Sequence, residues 1–377
     1  MGKFESRAEQ SRAEQSRAEQ SRAEQSRAEQ SRAEQSRAEQ SRAERIEWID
    51  NAKGIGLIFV MLGHCYLDTK YTFWFISFHM ALFFFLSGYT FKIKGKYFSF
   101  FTKKIRTLLI PYLFFVIVTM FCNGFLAIIH GNTYDVIGIL KLYLIQNRYT
   151  LLWFLTCLFL SEQCMFFLEK LYIKLKGKRG YWLIVGIFEL TAFYGYRTII
   201  GINLPWNADL VLIGLAFMSF GKYFCEIKLI EKITWNSFVI GSIFLLLCVV
   251  TSGYNYVYFG KVDWYSNAYG NGVLYLVSAF SGVVATIFLM QVIKCKKVAI
   301  LGRNSLIFYG LHRLIIDNLV FVLYPRLGIQ ITGGGILSLF IAFISVAIAI
   351  SILALFNYFV VKYIPWCVGK GKFTKRG

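Results

Sequence analysis

Two ionisable residues stand on the first long apolar segment of the chain, which reads DNAKGIGLIFVMLGHCYL between Asp50 and Leu67. Lys53 and His64 are eleven residues apart, so a helix places them about 20° apart around its axis and roughly 16 Å apart along it. An ionisable group at mid-depth in a membrane costs about 2–3 kcal/mol or more and usually faces a polar interior. The pair predicts a path for a ligand across part of a bilayer, with His64 as a candidate catalytic base.

A second histidine, His79, falls at a similar depth on the following, antiparallel segment. We expect the imidazoles of His64 and His79 to share one outward-facing cavity. A histidine inside a membrane also serves often as an interhelical hydrogen-bond partner, and this alternative stays open for both residues.

A basic cluster lies in the connection between the second and third apolar segments, which reads KIKGKYFSFFTKKIRTLLIPY. Lys103, Lys104 and Arg106 fall just before Pro111. Lys and Arg pair well with phosphate oxygens, so the cluster suits an anion site for a phosphorylated cytoplasmic ligand. The alternative is ordinary cytoplasmic charge attracted to anionic lipid headgroups, and the residue types alone favour it.

The composition is that of an integral membrane protein. Hydrophobic residues make up 56% of the chain, charged residues 16%, and the mean hydropathy is +0.53, values too apolar for a soluble domain of this length. The net charge of +20 suggests nucleic-acid binding, but the basic residues lie in short connections between apolar segments, which argues against it. The eight cysteines form no CxxC pair and are predicted to be buried free thiols.

Residues 1–45 form a polar tail, in which 6–44 are seven copies of SRAEQ and a truncated eighth. Because the repeat has no apolar residue larger than alanine, we expect it to be disordered or a marginal helix. The five-base unit AGCAG, read three times, encodes Ser-Arg-Ala-Glu-Gln. Gain or loss of one unit would shift the reading frame, which predicts a phase-variable switch of expression. A neutral expansion built of other codons is the alternative.

Ten apolar segments are predicted to be membrane helices, which makes the fold an all-α polytopic bundle over residues 46–361. They lie at 48–67, 73–92, 107–129, 150–170, 181–197, 206–225, 236–252, 270–293, 304–324 and 335–361. With the N-terminus inside, twenty-three lysines and arginines fall in the cytoplasmic connections and the basic C-terminal tail 362–377, and six in the opposite connections. This asymmetry predicts that both termini are cytoplasmic. The tail 1–45 has no apolar core of a signal peptide, so the first helix would be the uncleaved insertion signal.

Six stretches of the chain closely resemble the membrane acyltransferase-3 family, its fucose O-acetylase-like branch especially. They read IDNAKGIGLIFVMLGHC, FWFISFHMALFFFLSGYTFKIK, KKIRTLLIPY, LLWFLTCLF, PWNADLVLIGLAF and LGRNSLIFYGLH. They are distributed along the predicted membrane domain, residues 46–361. The resemblance implies transfer of an acyl group, usually acetyl, from cytoplasmic acyl-CoA to a carbohydrate beyond the membrane.

The resemblance also assigns roles to residues. Lys53 and His64 match the family's motif of a basic residue and a histidine eleven positions later, with lysine where many members have arginine. Lys104 and Arg106 match the basic pair that binds the CoA phosphates, with Lys103 beside them. His79-Met80-Ala81 stands where many relatives have His-Met-Pro, so this sequence does not itself require the family's local kink.

The expected path of the donor follows from these matches. The CoA phosphates would rest at the inner face, the pantetheine arm would pass Lys53, and the thioester would lie near His64, which would take the proton of a sugar hydroxyl. Asp50, one turn before Lys53, is expected to pair with it. Weaker candidates for lining the substrate cavity are Trp153, Asp209, Asn304, Ser305 and His312. For Asp209, an interfacial residue at a helix start is the alternative.

The sequence therefore predicts an O-acetyltransferase in the bacterial cytoplasmic membrane. Its partners would be membrane lipid, acetyl-CoA as donor and a surface glycan or lipid-linked glycan as acceptor, with no metal and no nucleic acid. No SGNH-type hydrolase domain follows the last helix, so we expect direct transfer to the acceptor or a separate partner protein. The main rival is a polysaccharide or lipid-linked oligosaccharide transporter, although no paired inverted repeats are seen. A glycan polymerase is the third option, and the large charged outer loop expected of it is absent.

Overall fold

Helices make up nearly all of the regular structure in the computed structural model of the protein, which describes residues 47–93, 95–178, 180–228, 230, 236–329 and 335–370. In these residues, β-pairing is confined to one bridge between Asp263 and Ala268. The repeat tail 1–45 and residues 371–377 of the basic tail lie outside the described residues, so the predictions made for them stay predictions.

The helices follow one another with short connections. They are α1 (47–63), α2 (Thr69–Ile76), α3 (His79–Tyr89), α4 (Tyr97–Lys104), α5 (Ile110–Ile129), α6 (Val136–Ile145), α7 (Trp153–Lys174), α8 (Tyr181–Ile199), α9 (Val211–Glu226), α10 (Ser237–Phe259), α11 (Gly272–Val292), α12 (Lys296–Arg303), α13 (Ser305–Asn318) and α14 (Ile336–Tyr363). Two π-helical turns, Ile105–Leu109 and Leu319–Leu323, join α4 to α5 and extend α13. Short 3₁₀ helices lie at Pro205–Leu210 and Pro365–Val368.

The all-α polytopic prediction is confirmed. Each of the predicted segments corresponds to a helix or a helix pair, and seven helices of the described chain are long and apolar enough to cross a membrane. The seven are Thr69–Tyr89, Tyr97–Ile129, Pro205–Glu226, Ser237–Phe259, Gly272–Val292, Ser305–Arg326 and Ile336–Tyr363. The predicted number of ten crossings stays a prediction.

The centre of the bundle is the contact between α3 and α9, with α7, α8 and α11 packed around it. Phe84 and Phe85 of α3 and Phe217 of α9 are fully buried. By contrast, α5 and α14 expose large apolar side chains, such as Phe121 at 74% and Phe340 at 62%. A helix with an exposed apolar surface of this kind suits contact with lipid chains.

The second predicted span is interrupted between α2 and α3. Ser77 donates its hydroxyl to the carbonyl of Trp74 at 2.7 Å, and the N–H of Phe78 bonds to the carbonyl of Phe75 at 3.2 Å. These bonds close the turn, and α3 then begins at His79. The chain thus bends immediately before His79 although Ala81 replaces the proline of many relatives.

The connection before α11 is shorter than predicted. α10 continues to Phe259, seven residues past the predicted end at 252. Asn255, which is fully buried, donates to the carbonyl of Tyr269 at 3.0 Å and accepts the N–H of Asn271 at 2.8 Å. Because these bonds hold the returning chain against α10, the connection covers residues 260–271 in place of the predicted outer loop 253–269.

Candidate active site

The helix α1 runs through the candidate site, with Lys53 near one end of the bundle and His64 just past its last residue near the other end. We call the end of the bundle at Lys53 the lysine side and the end at His64 the histidine side. On the lysine side α1 packs backbone to backbone on α12: a Cβ atom at Gly54 would collide with the carbonyl of Val298, and one at Gly302 with the carbonyl of Asp50. Lys53, one turn past Asp50, is therefore held by an element with little room to move.

The helical relation between Lys53 and His64 is not quite as predicted. α1 ends at residue 63, and His64 lies in the turn that follows. The N–H groups of His64 and Cys65 bond to carbonyls three residues back, each at 3.1 Å, and Tyr66 takes a left-handed φ of 57°. The prediction that one helix carries both side chains is therefore wrong, since a turn sets the direction of the imidazole.

His64 contacts a second histidine, His312 of α13. The ring centroids are 5.3 Å apart. His312 is fully buried, and its Nδ1 lies 3.0 and 2.9 Å from the carbonyl oxygens of Phe308 and Tyr309. Because a carbonyl only accepts, Nδ1 carries the hydrogen. The Nε2 atom is then a lone-pair acceptor, and it has no partner among the described residues.

His79 is the third histidine considered for this side, and its sharing of one cavity with His64 stays a prediction. It is within electrostatic range of His64. Its Nδ1 lies 3.0 Å from the carbonyl of Phe75 in the preceding turn of the chain, so this ring also has Nε2 as its acceptor. The break between α2 and α3 places the ring of His79 against that carbonyl, which also accepts the N–H of Phe78. The described structure thus brings His64 and His312 into contact on the histidine side, with His79 within electrostatic range of His64.

A polar cavity of about 250 Å³ opens next to His312. Gly310, two residues before His312 on α13, and Arg313, directly after it, line the cavity, and His312 itself lies behind this lining. Arg313 Nε lies 3.2 Å from Asp317 Oδ2, and Tyr66 donates its hydroxyl to Asp317 Oδ1 at 3.0 Å. The rest of the lining is mostly hydroxyl and amide groups, among them Thr119, Asn123, Tyr149, Thr150 and Asn318. Such groups hydrogen-bond well to a small polyol.

A narrow apolar cavity of about 50 Å³ lies between the lysine side and the histidines. Leu57, one turn past Lys53, lines it from α1, and Ser305 and Tyr309 line it from α13. Ser305 and Tyr309 precede His312 by seven and three residues, so they share its helix face. The remaining walls are Met80, Phe83, Phe154, Leu155 and Leu306. An unbranched, weakly polar chain is the kind of ligand that fits here.

The lysine side holds a buried ion pair that the sequence did not predict. Lys104 Nζ lies 2.6 Å from Glu162 Oε1 of α7, which is 7% exposed. Lys53 is within electrostatic range of both residues. Lys103 and Arg106, in contrast, are exposed. The predicted basic cluster therefore has one member anchored in the protein and two that remain accessible.

Asp50 and Asn304 also lie on the lysine side. Asp50 Oδ2 is 3.4 Å from Arg303 Nε, and the same carboxylate attracts the charge of Lys53. Asn304 accepts a hydrogen bond from the amine of Lys370. Asn304 was predicted with His312 as a substrate residue, but the structure places it at the other end of α13. Partial burial lowers the pKa of the Lys370 amine.

Trp153 and Asp209 lie in a packed region beside these cavities. Trp153 is 6% exposed, with its ring centroid 6.4 Å from that of Trp264. Asp209 forms an ion pair with Arg148 and accepts hydrogen bonds from the N–H of Leu204 at 3.1 Å and from Asn267 at 3.2 Å. Both charged side chains are almost fully buried, which indicates that Asp209 joins three connections of the chain.

Removing one member of this ion pair should destabilise the protein strongly. Asp209→Ala leaves the Arg148 guanidinium buried without its counter-charge, which costs about 3–5 kcal/mol, and the unfolding midpoint should fall accordingly. The double variant Arg148→Met/Asp209→Leu should regain most of the loss. Thermal unfolding in detergent measures both. Lys70→Ala, which breaks the exposed pair with Asp68 and keeps the cap of α2, is the control and should leave the midpoint unchanged; an equal fall in both single variants would contradict the prediction.

Sequence reasoning missed Glu162, Arg313 and Asp317. Each had a visible signal, because each is a charged residue inside a predicted apolar span. Arg313 lies in the middle of the predicted segment 304–324. It therefore belongs neither to the cytoplasmic connections nor to the opposite connections whose lysines and arginines were counted. An ionisable residue at such a depth is a functional candidate by default.

The comparison with family models decides the membership of the chain. The acyltransferase domain model of the acyltransferase-3 family matches residues 46–356. The chain belongs to the acyltransferase-3 family. The match runs from α1 into α14, so the elements that carry the lysine side, both cavities and the three histidines all lie within the acyltransferase-3 domain. Comparisons with curated proteins and with solved structures give no match.

Proposed function

We propose that this membrane acyltransferase is an O-acetyltransferase that moves an acetyl group from cytoplasmic acetyl-CoA to a hydroxyl of an extracytoplasmic surface polysaccharide, such as capsule, O-antigen or exopolysaccharide. The bacterial cytoplasmic membrane is its proposed location, with both termini inside. One observation carries the proposal: a narrow apolar cavity is lined by Leu57, one turn past Lys53 on α1, and by Tyr309, one turn before His312 on α13.

The donor would enter from the lysine side. Lys103, Lys104 and Arg106 would pair with the phosphates of CoA, and Lys53 would meet the pantetheine arm where it leaves them. The cysteamine and β-alanine part of the arm is unbranched and would run past Leu57 through the apolar cavity, which would have to widen around it because its volume is about 50 Å³. Its thioester would then lie beside the histidines, where the cavity walls exclude water.

The transfer needs one base and one proton relay. His64, as a neutral imidazole, would take the proton of the sugar hydroxyl while that oxygen attacks the acetyl carbonyl. The new C–O bond forms, the tetrahedral intermediate collapses with cleavage of the C–S bond, and the thiolate of CoA takes up the proton from the imidazolium. The products are the acetylated sugar and CoA. His312, whose Nδ1 hydrogen is fixed by two carbonyls, would keep a neutral ring beside His64.

The acceptor would bind in the polar cavity of the histidine side. Its volume of about 250 Å³ is below the range of about 300–1,000 Å³ usual for drug-sized ligands, so it suits a single sugar ring. The charge of Arg313 is matched by Asp317, which favours a neutral sugar over an anionic one. In this proposal the phosphates of the donor bind at the lysine side of the bundle and the acceptor sugar binds at the histidine side.

The repeat tail supports an antigen-modifying role. If the SRAEQ codons are built of a five-base unit, slippage would switch expression, and such switching is useful mainly for an exposed decoration. The test is mass spectrometry of the surface glycan from cells whose tract is in frame and from cells whose tract is one unit out of frame. We expect acetate only in the in-frame cells, with equal glycan chain length in both.

Two results would contradict the proposal. Equal acetate content in both kinds of cell would exclude this chain as the acetyltransferase. Failure of glycan export in the out-of-frame cells, with acetylation retained on each repeat unit, would favour the alternative that the protein is a transporter. Sequencing the tract in the same cells checks whether its unit is five bases long.

A further inference from the structure

The chain beyond the family domain returns to the lysine side. α14 ends at Tyr363, and the 3₁₀ helix Pro365–Val368 that follows packs on α5 and on the π-helical turn Ile105–Leu109. Cys367 and Val368 are 5% and 6% exposed. These residues lie after position 356, where the family match ends. We call residues 364–370 the C-terminal hook.

Gly369 sets how closely the hook approaches the basic cluster. Its φ is +69°, a conformation that glycine adopts without strain. A Cβ atom at this position would lie 2.9 Å from the Cα of Thr107 and 3.2 Å from the carbonyl oxygen of Arg106. The backbone of the hook therefore touches the backbone that carries Arg106, and a larger residue at position 369 would push it away.

Lys370 completes the contact on the other side. Its amine donates to Asn304, next to Arg303, whose guanidinium pairs with Asp50 at 3.4 Å. The partner of Lys370 is a neutral amide, so this contact fixes the position of the ammonium group and leaves its charge uncompensated. A partly buried ammonium of this kind gains free energy when an anion binds beside it.

The charges on the lysine side are strongly unbalanced. Among the residues named above for this side, the cations outnumber the two acids, Asp50 and Glu162. The cations are Lys53, Lys103, Lys104, Arg106, Arg303 and Lys370. Asp50 pairs with Arg303, and Glu162 pairs with Lys104. The excess positive charge suits a ligand with several phosphate groups.

We infer that the C-terminal hook is part of the donor site, with Lys370, held in place by Asn304, as a further cation that contacts the phosphates of CoA. The inference rests on the proposed use of CoA. It adds to that proposal a residue from outside the family domain and a reason for the close approach at Gly369. Lys370 would act as a point charge, so arginine should replace it where alanine cannot.

The test is CoA binding by the full-length protein in nanodiscs of zwitterionic lipid, measured by calorimetry. Lys370→Ala should weaken binding about tenfold, as expected for one lost charge-assisted contact, and Lys370→Arg should restore it. Gly369→Val should weaken binding at least as much, because it displaces the hook. Lys261→Ala, at an exposed lysine in the connection before α11, is the matched control and should bind CoA as the wild type does.

Each other outcome is decisive. Wild-type affinity in Lys370→Ala, with CoA bound by both proteins, overturns the inference and leaves the proposed function standing. No CoA binding by the wild type overturns both. A third outcome is that Lys370→Ala binds CoA normally but no longer enriches anionic lipid around itself in nanodiscs of mixed lipid. Lys370 then contacts lipid phosphates, and the inference is wrong. Thermal unfolding of each variant is measured alongside, and a tenfold loss with an unchanged midpoint excludes a merely structural role.

Discussion

His64→Ala should slow acetyl transfer by the purified protein at least a hundredfold while leaving it folded. General-base catalysis contributes about 10²–10⁴-fold to rate, so the rate should fall by that factor. His312 is not expected to replace the lost base, because its ring is fully buried and its Nδ1 is held by two backbone carbonyls. The measurement is release of CoA from acetyl-CoA in the presence of a sugar acceptor, with CoA affinity measured separately and expected to be unchanged.

The control for this variant is His130→Ala. His130 is exposed in the connection after α5, and its loss should change neither rate nor affinity. A His64→Ala protein that keeps more than a tenth of the wild-type rate would exclude His64 as the base. His79→Ala and His312→Ala would then be the next variants to compare, since both rings present an Nε2 acceptor near the same place.

Filling the apolar cavity should separate donor binding from transfer. Leu57 is fully buried and lines this cavity, so Leu57→Trp should block the passage of the pantetheine arm. Displacing a reacting group by about 1 Å can cost about a hundredfold in rate, and a blocked passage should cost at least that. CoA should still bind, because the phosphate contacts are on the lysine side. Transfer rate and CoA affinity, measured on the same preparation, check the prediction.

Two further variants make this test robust. Ser305→Leu fills the same cavity from α13 with a smaller side chain, and it should also slow transfer if Leu57→Trp is too large to fold. Ile117→Trp adds the same ring on the exposed face of α5, where Ile117 is 66% exposed, and should be neutral. Normal transfer by both cavity variants would show that the acyl chain takes another route.

The sequence was sufficient to predict most of the helices, because their apolar runs are long and their ends carry charge. It was also sufficient to single out Lys53, His64 and Lys104 as candidates, since ionisable residues in apolar surroundings are conspicuous. The contact between His64 and His312 could not be predicted from the sequence. His64 follows α1 and His312 lies on α13, so the two residues meet only through tertiary packing. The ion pair of Lys104 with Glu162 and the contact of Lys370 with Asn304 also arise from tertiary packing, so the sequence did not predict them.

Local backbone geometry was the second source of difference. Helix periodicity places His64 on the face of Lys53, but the helix ends one residue earlier and a turn sets the ring. The bend before His79 arises from side-chain and backbone bonds of Ser77 and Phe78, which no proline marks. In both places the deviation from a regular helix occurs next to a residue of the candidate site, where local rules are often overridden.

The two π-helical turns have a consequence for how relatives are compared. A π turn holds one residue more than an α turn between the same two ends, and one such turn stands between Lys104 and the start of α5 while the other extends α13. A homologue that lacks the extra residue at Ile105–Leu109 would keep both flanking helices in place yet be one position out of register. A gap in an alignment belongs inside that segment, because counting back from Pro111 would assign the role of Lys104 to its neighbour.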